Sequence, residues 1–288
     1  MAVNILVAAW TPALAGEGEA VPRPASEPPA SVDSVPSVGD TDAVGSAAYD
    51  DAAIAALRRE VESRPNDADA NYRLGLALRH AHRRPESVPY FERAVAIGPA
   101  TRGRLLDLGV AYSDVSRFGE AEAAYRRLLA DTPGDADALL NLANISLRRG
   151  AFDAAIALYR QALDSNPRYL FAWYHLGHTL KFVGRQTEAR EAYKHVLDLT
   201  PANDREQAAR VDALYQMGSM DLARGKVQSA EALFAEVTKV APDHRGAHWG
   251  RAQALLRLGR SDDAKKEIDA HARLLAERAP TGPSASDP

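Results

Sequence analysis

Eight histidines are the side chains of this sequence best suited to moving protons near neutral pH or to holding a metal. His175 and His178 share a helix face, as do His244 and His248, and His195 lies in the next helical stretch. A zinc site needs three or four converging ligands, and no His-Glu-x-x-His run is present to supply them. Packing within helices is the better reading, so no metal ligand is assigned. The acid pairs Asp50-Asp51 and Asp262-Asp263 stand at helix starts, where the helix dipole accounts for them. Arg79, His80, His82, Arg83 and Arg84 form one basic cluster, read as a solvated turn and not as an anion site. The sequence has no Gly-x-Ser-x-Gly elbow, phosphate loop or dinucleotide fingerprint. It also has no cysteine, which removes disulfides, thiolate nucleophiles and Cys-ligated zinc. No catalytic residue and no cofactor is assigned, and a non-enzymatic protein is expected.

Charge narrows the partners further. The formal net charge is -4, and residues 1–48 carry six acids (Glu17, Glu19, Glu27, Asp33, Asp40, Asp42) against Arg23. The remainder is close to neutral and offers no basic footprint for phosphate backbones, so nucleic acid is not an expected partner. At the amino terminus, Ile5 to Trp10 is a short apolar run, and Ala13-Leu14-Ala15 before Gly16 has signal-peptidase spacing. Residues 1–15 are therefore a candidate signal segment, although no Lys or Arg precedes the run. Cleavage implies a periplasmic or secreted protein; without it the chain is cytoplasmic. No run approaches the ~18 to 20 apolar residues of a membrane-spanning helix, so no integral membrane segment is expected. From Glu17 to Ser46 the chain lacks any periodicity and reads as a flexible, Pro/Ala/Ser-rich linker.

The elements that organise the rest are set by a repeat. Prolines 65, 99, 133, 167 and 201 are each 34 residues apart, and Pro242 follows. In register with them run Leu74, Leu108, Leu142, Leu176 and Met217, each followed by Gly or Ala. A small-residue row reads Ser87, Ala121, Ala155, Ala189, Ala230, Ala264. Four residues after each come Phe91, Tyr125, Tyr159, Tyr193, Phe234 and Ile268. Apolar spacing of three and four, in two blocks split by a turn at Gly150, Gly184, Gly225 or Gly259, makes each unit a helical hairpin. Small residues let the paired helices approach, the aromatic fills the joint, and proline ends the second helix. Asp67, Asp135 and Asp243 are placed to cap the helices that follow.

These rows closely resemble the tetratricopeptide repeat family. The resemblance implies an all-α fold, a right-handed solenoid of helical hairpins. It covers residues 49–278 as six units (68 to 99, 102 to 133, 136 to 167, 170 to 201, 204 to 242, 245 to 278) after a lone helix, Asp50 to Arg64. Residues 1–48 and 279–288 flank it as tails. The fifth unit is seven residues longer than the others, two helical turns, and Asn203 with Glu206 has capping-box spacing, so one long helix is expected over about 204–224. The sixth unit replaces family positions with Arg251, Ile268, His271 and Ala276, which reads as a solvated end cap.

The resemblance also implies where function lies, because the family binds extended peptides or partner helices on the inner face of its first helices. Carried across, that surface holds Tyr72, Asn144, Arg148, Phe171, Tyr174, His178, Lys181, Phe182, Tyr215 and Trp249, and its rows continue through Ser219, Gln253 and Arg257. Aromatics concentrate in the fourth to sixth units, and His178 with Lys181 favours an amphipathic ligand bearing acidic groups. The family's carboxylate-gripping set is not reproduced around Asn141 and Asn144. The expected role is a scaffold that binds a protein or peptide; the alternative is an accessory or regulatory subunit of an enzyme complex. Self-association through exposed helix faces also fits a solenoid.

Overall fold

The computed structural model describes residues 50–277. The flanking segments 1–48, with the candidate signal at 1–15, and 279–288 lie outside the described residues. All the described elements are helices. A lone helix α1 (Asp51–Ser63) precedes six hairpins: α2 (Ala68–His80) with α3 (Arg84–Ile97), α4 (Arg102–Asp114) with α5 (Phe118–Asp131), and α6 (Ala136–Arg148) with α7 (Phe152–Ser165). Then come α8 (Leu170–Phe182) with α9 (Gln186–Asp198), α10 (Asp204–Ala223) with α11 (Val227–Val240), and α12 (Arg245–Arg257) with α13 (Ser261–Ala276). Each second helix packs on its own first helix, and α3, α5, α7, α9 and α11 pack also on the first helix of the following unit, the arrangement of a helical-repeat solenoid.

The hairpins start and turn by local rules. Two residues past most of these prolines a side chain accepts from the backbone of the new helix: Asp67 from Ala70 at 3.0 Å, Thr101 from Arg104 at 3.4 Å, Asp135 from Ala138 at 2.9 Å and Asn203 from Glu206 at 2.9 Å, whereas Tyr169 after Pro167 makes no such bond. The same offset after Pro242 falls on His244, whose Nδ1 accepts from Ala247 at 3.0 Å. Asp243, expected in that role, stands one residue too early. The turn within each hairpin needs one residue in the left-handed region, filled by Gly150, Gly184, Gly225 and Gly259 in the later units and by His82 and Ser116 in the first two. α3 accepts Pro85 in its first turn and continues through Pro89. α10 runs for 20 residues against 13 in the other first helices, about 10 Å longer.

Packing explains the two rows. Ser87, Ala121, Ala155, Ala189, Ala230 and Ala264 are fully buried, and the rings of Phe91, Tyr125, Tyr159, Tyr193 and Phe234 are at most 1% exposed. Each ring presses on the small residue of its partner helix. A β-carbon at Gly177 would meet the Tyr193 ring at 2.8 Å, and one at Gly218 would meet Phe234 at 2.9 Å.

In the last hairpin Ile268 and Ala276 are exposed, as a solvated end requires, while the other two replacements also bond inward: Arg251 reaches Glu231 at 3.1 Å and Glu267 at 2.7 Å, and His271 Nδ1 lies 3.0 Å from the Arg245 carbonyl. Its outward positions are partly apolar, with Trp249, Leu256, Ile268 and Leu275 among the most exposed large hydrophobics of the described residues.

Candidate functional site

The expected binding row divides into three stretches with different jobs. At the amino-terminal end Tyr72 donates to Asp107 of the next unit and meets Phe91 edge-on at 5.8 Å. Farther along, Asn144 is buried and accepts from the Tyr159 hydroxyl at 2.6 Å, while the exposed Arg148 guanidinium lies over the Phe118 ring at 5.4 Å. Together with Ser113, Asp114 and Asn141 they border a small polar hollow of about 60 Å³. Asn144 therefore serves the core with its oxygen.

The middle stretch is organised by a residue outside the expected set. Asp212, on α10, lies 2.8 Å from His178 Nε2 and accepts from Tyr174 at 3.1 Å and from Gln216 at 3.1 Å. Lys181 donates to Gln216 at 2.5 Å. Burial pushes the Asp212 carboxyl up, but the bonds from His178, Gln216 and Tyr174 outweigh it and hold its pKa below the ordinary value. Burial also lowers the Lys181 ammonium and, together with the nearby carboxylate of Asp212, raises the Tyr174 phenol. Phe171 stacks on His175, with centroids 6.4 Å apart, and burial takes the His175 imidazole down to about 3. His175 and His178 thus part company: one is a neutral core side chain, the other an inter-helix bond. The cluster ties α8 to α10, and Asp212 spends its acceptor capacity in doing so. In the repeat register Asp212 stands level with Asp137 and Phe171, but its role is set by bonds across the joint to Tyr174 and His178, which spacing within one unit does not show.

The third stretch is open. Tyr215 and Trp249 border a hollow of about 310 Å³ between α10 and α12, floored by Phe234, Gly246 and Gly250 and rimmed by Ser219, Gln253 and Arg257. A β-carbon at Gly246 would meet the Tyr215 hydroxyl at 3.0 Å, and one at Gly250 would meet the Phe234 ring at 2.6 Å, so the glycines let the rings lie against backbone. Trp249 leans on His271 at 5.6 Å and stays 48% exposed. Arg257 donates to the Leu222 carbonyl at 3.0 Å and is otherwise directed to solvent. Phe182 is exposed but packs on Phe152 at 4.8 Å, at the hairpin turns and apart from this hollow. A second, more apolar hollow of about 370 Å³ lies under the extra turns of α10, between Asp204, Ala208, Val211 and Val240. Among the described residues no three metal-ligating side chains converge, and no helix is long and apolar enough to cross a membrane.

Comparison with known proteins agrees with this architecture. Tetratricopeptide repeat family models match residues 49–100, 106–169, 172–203 and 215–283. No curated protein matches the chain. Among solved structures, YrrB, described as a TPR protein with an unusual peptide-binding site, is 19% identical with a TM-score of 0.54, over 65% of this chain and 93% of that one. MamA is 19% identical with a TM-score of 0.52, over 59% of this chain and 95% of that one. A tetratricopeptide repeat protein from Parabacteroides merdae is 18% identical with a TM-score of 0.56, over 74% of this chain and 81% of that one. At these identities the likeness shows the fold, and with the sequence matches it settles descent: the chain belongs to the tetratricopeptide repeat family.

Proposed function

We propose that this protein is a non-enzymatic scaffold that holds a peptide segment of a partner protein against the first helices of its fifth and sixth units. The observation that carries this reading is the hollow between Tyr215 and Trp249: it has an aromatic wall, a volume of about 310 Å³, and the Arg257 cation at its rim. Its walls suit one large apolar side chain, and Arg257 suits a carboxylate beside it. Neighbouring polar groups at Asp212 are already spent on joining helices, which narrows the contact surface to this stretch. The peptide-binding site named for YrrB supports peptide capture as a use of the fold.

Selection of a displayed random-peptide library on the immobilised chain tests this. Enrichment of sequences that pair a large apolar residue with Asp or Glu, lost on the Trp249→Ala chain, supports the reading. The same enriched set on both chains contradicts it. An exported location, periplasmic or secreted, belongs to the same proposal, and the mass of the mature protein checks it: a start at Gly16 supports export, an intact Met1 the cytoplasm.

A further inference from the structure

The sixth hairpin closes the described stack with a stacking face left open. Glu231 and Phe234 of α11 meet Arg251 and Gly250 of α12, and none of Glu231, Phe234, Ala235, Thr238 and the C-cap Ala241 is exposed. Their counterparts 34 residues on, along α13, are Lys265, Ile268, Asp269, Ala272 and Leu275, and all five are exposed. The ring position that is at most 1% exposed in each of the five earlier hairpins is 36% exposed at Ile268, and Leu275 reaches 46%.

The register of Lys265 carries more information. At three joints this position of the second helix sends an ion pair into the following unit: Glu122 to Arg149 at 2.5 Å, Arg190 to Asp221 at 2.5 Å and Glu231 to Arg251 at 3.1 Å. Lys265 repeats the position, exposed and in no ion pair with another of the described residues. Residues 278–288 hold Pro280, Pro283 and Pro288 among small and polar residues, which is not the pattern of an amphipathic helix.

We propose that this face docks one amphipathic helix of another protein, laid on α13 as a first helix lies on α11 at the preceding joint. Small and apolar residues of that helix cover Ile268, Ala272 and Leu275, and a carboxylate meets Lys265. Asp269, one turn on, requires a neutral or basic neighbour. This surface is separate from the Tyr215 and Trp249 hollow, and either assignment can fail alone.

The probe is a side-chain-stapled peptide of residues 243–260 with Arg251→Glu, which keeps the helix that covers α11 and exchanges its charge for one that Lys265 attracts. Its binding to the full chain is read by fluorescence anisotropy, beside the parent peptide. The acidic probe should bind at least tenfold more tightly than the parent, and Lys265→Glu should reverse that preference. Ile268→Asp should abolish binding of both while the circular dichroism is unchanged. Failure of the acidic probe to bind, or a preference indifferent to Lys265→Glu, overturns the proposal. So does a dimer in sedimentation equilibrium that Ile268→Asp dissociates, because the occupant is then a second copy. A gain in probe affinity on deleting residues 1–48 overturns it as well, by giving the face to the chain's own amino-terminal segment.

Discussion

Tyr159 donates its hydroxyl to Asn144 Oδ1 at 2.6 Å, and this bond separates it from Tyr193, which fills the same place one unit later with a buried hydroxyl that has no partner among the described residues. Both rings are fully buried, so removal of the hydroxyl alone compares the two bonding states. Tyr159→Phe strands a buried amide oxygen and should cost about 1 to 3 kcal/mol. Tyr193→Phe removes an unsatisfied group and should be neutral or slightly stabilising. Urea unfolding of the two variants checks the contrast; equal losses would contradict it.

Close approach of paired helices sets a second expectation. Gly177→Ala drives a β-carbon to 2.8 Å from the Tyr193 ring and should destabilise by about 1 to 3 kcal/mol through overpacking. Gly119→Ala, on the exposed first turn of α5 with open space around it, should stabilise by up to about 1 kcal/mol through helix propensity. Thermal melts of both variants, read with opposite signs, check this.

The joint between the fourth and fifth units rests on a buried charge. Asp221 is fully buried and takes two bonds from Arg190, at 2.5 and 3.0 Å, and one from Ser229 at 2.5 Å. Arg190→Ala leaves that carboxylate without its cation and should cost about 3 to 5 kcal/mol. Arg185→Ala, which breaks only the exposed pair with Glu188, should cost less than about 1 kcal/mol. Denaturant midpoints at fixed slope give both values.

His175 sets a pH dependence with a definite sign. Its folded value of about 3 lies below the ordinary 6.5, because burial, reinforced by His178, disfavours the charged ring. As pH falls below 6.5 the unfolded chain takes up this proton first, so the stabilisation present above 6.5 is lost progressively toward 3. The slope is about 1.4 kcal/mol per pH unit within that window. His175→Gln should remove this component, so that the difference in unfolding free energy between wild type and variant shrinks from pH 7 to pH 4.5. A constant difference would show that the ring titrates normally.

Most of the fold was legible in the sequence, and the misses have physical causes. The 34-residue proline period exposed the hairpins because proline ends a helix wherever it falls, and the aromatic row exposed the joints because only a small partner residue admits a ring there. The long α10 followed from seven extra residues and the Asn203 cap. The site was less legible, because side chains on a repeat surface choose partners across a joint. Asn144 turned to Tyr159, and Tyr174 and His178 turned across the joint to Asp212. Arg251 and His271 read as solvent-facing replacements, yet they found Glu231, Glu267 and a backbone carbonyl within the fold. Type and spacing identify a face, whereas the partner taken on that face depends on the neighbouring unit.

The scaffold assignment is tested most directly by calorimetric titration of one library-selected peptide into wild type, Trp249→Ala and Arg257→Ala, with helicity followed by circular dichroism. Trp249 is 48% exposed and Arg257 is exposed at the rim, where it gives up one bond to the Leu222 carbonyl, so both changes should leave the helical content in place. Each should weaken binding by about 1 to 3 kcal/mol, with the Arg257 effect confined to peptides that carry an acidic residue. Unchanged affinity in both variants, at unchanged helicity, would contradict a binding site between Tyr215 and Trp249.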